Sequence, residues 1–365
     1  MIHTPENKVL SENRKGRQST RIKPPTLQRL LLLVVLLAFG WLSACTSTTQ
    51  IQPQATATSP SQAIATSSRA TADIFLPFSA REPAETAGTS TLEPSATVPP
   101  TPVPENKIRF AVIGDYGLAG QPELEVAALI ASWQPDLIIT TGDNNYPSGA
   151  TSTIDENIGQ YFSDYIFPYQ GNFGPGADQN RFFPSLGNHD WNTASASPYL
   201  DYFSLPGNER YYDFMANPVH FFVVDSDSRE PDGVSRISSQ ANWLEAAMSA
   251  STSPWNIVYF HHAPYSSGLH GSTDWMRWPF KDWGADAVLA GHDHTYERLQ
   301  VDGLPYFVNG LGGGARYDFV NILSESQVRY NAERGAMLVN ATDTQITFQF
   351  WNLAGQLIDE YQLVK

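Results

Sequence analysis

Five short groups of polar residues recur between residues 114 and 294, and their side chains are of the types that hold metal ions. They are Gly114-Asp115-Tyr116-Gly117, Gly142-Asp143-Asn144-Asn145-Tyr146, Gly187-Asn188-His189-Asp190, the stretch Trp255 to His262 ending in the pair His261 and His262, and Gly291-His292-Asp293-His294. Carboxylate, amide and phenol oxygens mixed with imidazole nitrogens suit iron, manganese or zinc. A single Gly-Asp turn or one histidine pair would mean little, because both are common in structural roles. Their conjunction means more, since most of the chain's eight histidines fall in or beside these groups.

Such groups need strands to aim them, and each sits where an apolar run ends, the place at which open α/β sheets gather their functional loops. Arg109 to Ile113 and Leu137 to Thr140 read as buried strands. Between them, Pro122 to Trp133 has helical spacing with a proline suited to a first helical position. This makes a β-α-β unit. Ile257 to Phe260 and Ala287 to Ala290 supply further short strands, while Phe307, Met337 to Val339 and Ile346 to Phe350 point to a more antiparallel second half. The expected fold class is α/β: mixed sheets packed as a sandwich with flanking helices, a four-layer α-β-β-α arrangement over residues 107–365.

In this order the five groups resemble the calcineurin-like metallophosphoesterases, and Tyr146 narrows the resemblance to the purple acid phosphatases. The match runs from about Phe110 to Gly314. Gln240-Ala241-Asn242-Trp243-Leu244 is similar to the helix before the fourth group, and His294 to Arg298 with Tyr306 to Gly310 resembles the plant-type continuation. The resemblance implies two metal ions, Fe(III) with a divalent Fe, Zn or Mn. Asp115, Tyr146 and His294 match the ligands of the ferric ion, Asp143 the bridging carboxylate, and Asn188, His261 and His292 the ligands of the second metal. Either His261 or His262 could be the ligand of the fourth group, because a one-residue shift on a strand reverses side-chain direction. The form Trp255-x-Ile257-Val258-x-x-His261, with His270 nine residues on, favours His261. Ala263-Pro264 departs from the family's usual proline placement.

By the same resemblance His189 is the expected proton donor, His270 a substrate-contacting histidine, and Asp190 a residue that orients or charges His189. The implied reaction is acid phosphatase-like hydrolysis of phosphate monoesters, by attack of metal-bound hydroxide with His189 protonating the departing alcohol. Phosphodiesterase or nucleotide-pyrophosphate hydrolase activity is the alternative on the same ligands, since loops set substrate choice. A non-catalytic metal-binding surface lipoprotein is a third reading. It has no use for a non-ligand histidine at position 189.

Ahead of this region the composition changes. The first 44 residues hold seven Lys or Arg against two acids, in a chain with 22 basic and 37 acidic residues overall. A basic stretch ending at Arg29 precedes the apolar run Leu30 to Leu42 and then Leu42-Ser43-Ala44-Cys45, the grammar of a signal peptide. The run falls short of the roughly 20 residues a membrane-crossing helix needs. Leu-Ser-Ala-Cys resembles the lipobox of bacterial lipoproteins, so residues 1–44 are expected to be a signal peptide and Cys45 to be lipidated, anchoring an exported protein to the cell envelope. Cys45 is the chain's one cysteine, which excludes an intramolecular disulfide. Residues 45–106, rich in Ser, Thr, Ala and Pro, read as a disordered linker. The body beyond the leader is strongly acidic, so the expected partner is a small phosphate ester and not a nucleic acid.

Overall fold

The computed structural model describes residues 105–365. The expected signal peptide, Cys45 and nearly all of the expected linker lie outside the described residues. The strands, in chain order, are β1 (Lys107–Ile113), β2 (Leu137–Thr140), β3 (Phe182–Pro184), β4 (Tyr212–Ala216), β5 (Val219–Val223), β6 (Trp255–His262) and β7 (Ala287–Gly291). There follow β8 (Tyr296–Val301), β9 (Leu304–Asn309), β10 (Ser326–Tyr330), β11 (Gly335–Thr342), β12 (Gln345–Asn352) and β13 (Leu357–Val364).

Two mixed sheets result. The first has the order β13-β12-β11-β1-β2-β3, with β1, β2 and β3 parallel and β11 to β13 antiparallel. The second has the order β10-β8-β9-β7-β6-β5-β4, with β5, β6, β7 and β9 parallel. Alternation along β1 shows how the layers are assigned. Phe110 and Val112 join residues of both sheets, including Phe221, Ile257 and Val339, in the core between them. Ala111 and Ile113, on the opposite face, pack against helix Gln121–Ser132 through Val126, Ala127 and Ile130. The second sheet repeats the pattern, with Val258, Phe260 and Val288 covered by Ala241, Leu244 and Met248 of helix Ser239–Ala250. Ser238 caps that helix, its hydroxyl oxygen accepting from Ala241 N at 3.1 Å. Three buried apolar layers between four layers of backbone make the α-β-β-α sandwich.

Helix Gln121–Ser132 starts one residue earlier than its spacing predicts and places Pro122 in the first turn, where a missing N–H costs nothing. β6 extends the predicted Ile257 to Phe260 run through both histidines. What positions the site is the parallel half of each sheet. The loops leaving β1, β2 and β3 of one sheet meet those leaving β6 and β7 of the other.

Candidate metal centre

Asp115 and Asp143 lie just past the ends of β1 and β2, and His292 just past β7. All three take left-handed backbone, with φ of 55°, 54° and 72°. Asp and His tolerate that region better than most residues, yet each such turn costs on the order of 1 kcal/mol or more, which marks these bends as imposed by their surroundings. Gly142 adds a fourth (φ 89°), and a Cβ there would lie 2.8 Å from the His261 ring. Cross-links hold the loops together: Asp115 N donates to Gly142 O at 3.1 Å, and His292 N donates to the Asp115 carboxylate at 3.0 Å.

Asp143 stands between two groups of donors. On one side the Tyr146 hydroxyl is 3.0 Å from Asp143 Oδ2, 3.4 Å from Asp115 Oδ1 and 3.1 Å from His294 Nε2. On the other, His261 Nε2 is 3.4 Å from Asp143 Oδ2, 3.0 Å from Asn188 Oδ1 and 3.1 Å from His292 Nδ1. Ligand atoms of Asp115, Asp143 and His261 fall within 4.8 Å of one another, and all three residues are buried.

The tautomers follow from the backbone. His261 Nδ1 donates to Thr141 O at 2.9 Å, and His294 Nδ1 donates to Ala315 O. Each neutral ring therefore turns the lone pair of Nε2 toward the carboxylates. Metal-binding histidines are held in this way, by a carbonyl on the far nitrogen. The outcome is a convergence of acceptors in which, among the described residues, no Lys or Arg pairs with Asp115 or Asp143. Burial opposes charge on His261, but the Asp143 carboxylate overrides it and pushes the imidazole up to about 10. Burial likewise opposes charge on Asp143, yet His261 and His189 hold it well below the usual carboxylate range. A field that favours a proton here favours a metal cation by the same sign. His292 is kept neutral, held well below its ordinary value by burial and by His261, His262 and His270. Burial, then Asp143 and Asp115, raises the Tyr146 phenol well above its ordinary value, and only a strongly charged cation beside it would reverse that. The residues present fit a pair of metal ions.

His261 and His262 part company as neighbours on a strand should. His262 Nδ1 lies 2.9 Å from Ser226 Oγ and its ring 4.5 Å from that of His292, and burial with His261 pushes it down to about 3. His189 is partly exposed and reaches toward Asp143, with Nε2 at 3.9 Å from Oδ2. Its other nitrogen is held by Pro147 O at 2.6 Å. The expectation that Asp190 orients His189 is thus corrected. Asp190 is buried beneath the loop, where it accepts from Gly187 N (2.9 Å), Asn144 Nδ2 (2.8 Å) and Asn144 N (3.1 Å). Those donors favour its ionised form, against the burial and the Asp143 charge that push it up to about 7. It ties the second and third groups together.

His270 stands at the rim, exposed, its ring stacked on that of His292 at 4.3 Å. Two residues not singled out in the sequence hold its loop. Buried Asp293 accepts from Ser266 Oγ at 2.5 Å and His270 N at 2.8 Å, and buried Glu297 accepts from Ser267 Oγ at 2.6 Å. Asp293 sits between His292 and His294, and a carboxylate in that setting is the signal that could have found it. Tyr317 lies flat on the His294 ring at 4.1 Å and has no such signal.

Fold and site together define a metal-dependent hydrolase. The calcineurin-like phosphoesterase family matches residues 108–296, just over half of the chain, and the chain belongs to that family and is a hydrolase of phosphoric esters. Purple acid phosphatase 4 of Arabidopsis thaliana is 26% identical over 306 residues, covering 74% of this chain and 87% of the relative. Among solved structures, a purple acid phosphatase from yellow lupin seeds aligns with a TM-score of 0.58 at 18% identity, over 73% of this chain and 55% of that one. GAP50, described as the anchor in the inner membrane complex of Plasmodium, aligns at 0.56 and 17% over 71% and 90%. Both structural likenesses are of fold alone.

Proposed function

We propose that this chain is a purple acid phosphatase-like enzyme that hydrolyses phosphate monoesters with two metal ions, Fe(III) and a divalent Fe, Zn or Mn. The observation that carries the reading is the orientation of His261 and His294, whose far nitrogens are tied to carbonyls so that Nε2 faces Asp143 in the one and Asp115 in the other, each at 3.4 Å. Asp115, Tyr146 and His294 are the proposed holders of the ferric ion, and Asn188, His261 and His292 of the divalent one, with Asp143 common to both. When bound, such a pair acidifies water and offsets charge on the phosphoryl oxygens. His270, stacked over His292, steadies the phosphate at the rim. His189 supplies the proton to the leaving oxygen from Nε2, because Pro147 O engages Nδ1. The donating form is therefore the imidazolium, its Nε2 3.9 Å from Asp143 Oδ2. Relatives named as acid phosphatases support the monoester.

Release of inorganic phosphate from phenyl phosphate, measured beside diphenyl phosphate and with metal analysis of the same sample, tests the proposal. A preparation holding two metals that cleaves only the diester would move the assignment to the phosphodiesterase alternative. Absence of hydrolysis with both metals bound would leave a binding protein.

Export and anchoring through acylated Cys45 belong to the same proposal and rest on the leader sequence. Among the described residues no helix is long and apolar enough to cross a membrane. Mass analysis of the mature N-terminus decides: Cys45→Ala should leave the protein unlipidated, and an unmodified cysteine on the intact chain would remove this part of the proposal.

A further inference from the structure

The loop after β5 carries a run, Asp225-Ser226-Asp227-Ser228-Arg229-Glu230, that the reaction described above does not use. Arg229 leaves it to reach the loop that bears Asn188 and His189. Its guanidinium grips buried Asp227 with two bonds, Nε to Oδ1 and Nη2 to Oδ2, both 2.7 Å. Nη2 also donates to the backbone oxygen of Asn188 at 2.9 Å, and Nη1 to Asn192 Oδ1 at 3.0 Å. Four of the five guanidinium N–H groups are thereby committed. The pair is fixed further below, where Asp227 N donates to Asp225 Oδ1 at 2.9 Å and Trp191 Nε1 to Asp225 Oδ2 at 2.9 Å.

The bonds join the two halves of the sandwich. Asn188 and Asn192 follow β3 of the first sheet, whereas Asp225, Asp227 and Arg229 follow β5 of the second. His261, which faces Asn188 Oδ1 at 3.0 Å, also belongs to the second sheet. We infer that Arg229 is a positioning residue for the divalent-metal half of the centre: it clamps the Asn188 backbone to the second sheet and so sets the distance between the Asn188 and His261 ligand atoms. This rests on the two-metal reading. A cation this close to a metal site would repel the metal if it were unpaired. Asp227 offsets that charge, so the effect of Arg229 is one of geometry. A lysine keeps the charge but not the planar fork, and so cannot grip Asp227 and Asn188 together.

The test is a titration of the chelator-stripped full-length chain with Mn²⁺, followed by calorimetry, for wild type, Arg229→Ala and Arg229→Lys. Wild type should show two binding steps. Both variants should lose roughly 10- to 100-fold in affinity at one step and keep the other, the scale seen when the partner of a metal ligand is removed. Asn192→Ala, which leaves the Asp227 and Asn188 contacts intact, should bind like wild type. Unchanged affinities in both Arg229 variants would overturn the inference. So would an equal loss at both steps with a lowered unfolding midpoint of the stripped protein, which would make the role general. Full recovery in Arg229→Lys would show charge, not the clamp, to be at work. If wild type itself shows fewer than two steps, the two-metal reading fails, and it fails separately from the clamp.

Discussion

At the scale of single residues, the histidines of the centre differ in what their far nitrogen touches and in whether they face the carboxylates or the solvent. His261 is fully buried, while His189 keeps a third of its side chain exposed. Replacing them should therefore fail in different ways. His189→Ala is expected to retain both metals and to slow hydrolysis of alkyl phosphates by roughly 10²- to 10⁴-fold, the scale of general acid catalysis. Esters of good leaving groups, such as nitrophenyl phosphate, should lose far less. His261→Ala should lose metal and slow both kinds of ester alike, and His262→Ala should do neither. Leaving-group series with metal analysis read this out, and equal losses on both ester classes for His189→Ala would deny it the acid role. Tyr146, with its hydroxyl 3.0 Å from Asp143 and 3.1 Å from His294, makes a spectroscopic prediction. The oxidised iron form should absorb in the visible through tyrosinate charge transfer, and Tyr146→Phe should abolish or strongly shift the band. Colourless wild type with stoichiometric iron would exclude Tyr146 as an iron ligand.

At the scale of elements, the loop from Ala263 to Thr273 depends on what lies beneath it. Asp293→Ala removes the acceptor for Ser266, His270 and Gly271 at once, so His270 loses its place over His292 while His292 and His294 stay on their own strand ends. We expect catalysis to fall by about 10²-fold, the effect of a misplacement near 1 Å. Metal content should be unchanged, and a loss of metal would place Asp293 in the centre itself. The same elements show where sequence is informative. β1 and β2 could be read because Phe110 to Ile113 and Leu137 to Ile139 are unbroken apolar runs buried on both faces. β3 has three residues, and β13 at the sheet edge mixes Asp359 and Glu360 into its pattern, so neither announces itself. The metal-facing groups were legible because Asp, Asn and His are conspicuous at the ends of apolar runs. The partner of His189 was not, since Pro147 acts through its carbonyl, a group that every residue has. Adjacency in sequence suggests Asp190 as the partner of His189, but successive residues in a tight turn point apart, and the Asp190 carboxylate turns inward to Gly187 and Asn144.

At the scale of the molecule, the centre draws its donors from both sheets, so metal binding is coupled to the packing of one sheet on the other. Chelation leaves Asp115 and Asp143 buried together. A ligand at a thousand times its dissociation constant stabilises the folded state by about 4 kcal/mol, so scanning calorimetry should show a midpoint that falls with chelator and returns with added metal. A midpoint indifferent to both would mean that the loops hold their shape unaided. The order of strands has a further effect, on the time course of folding. β1 lies between β2, its near neighbour in the chain, and β11, where Lys107 meets Thr342 and Val112 meets Met337. A nascent chain has Asp115 and Asp143 in hand early, but the strand that flanks β1 on its other side is among the last to be made. Pairing across so long a loop is slow to nucleate. The edge that carries the metal ligands is therefore completed only after β11 has been synthesised, and until then one side of β1 is an open template for any extended chain it meets.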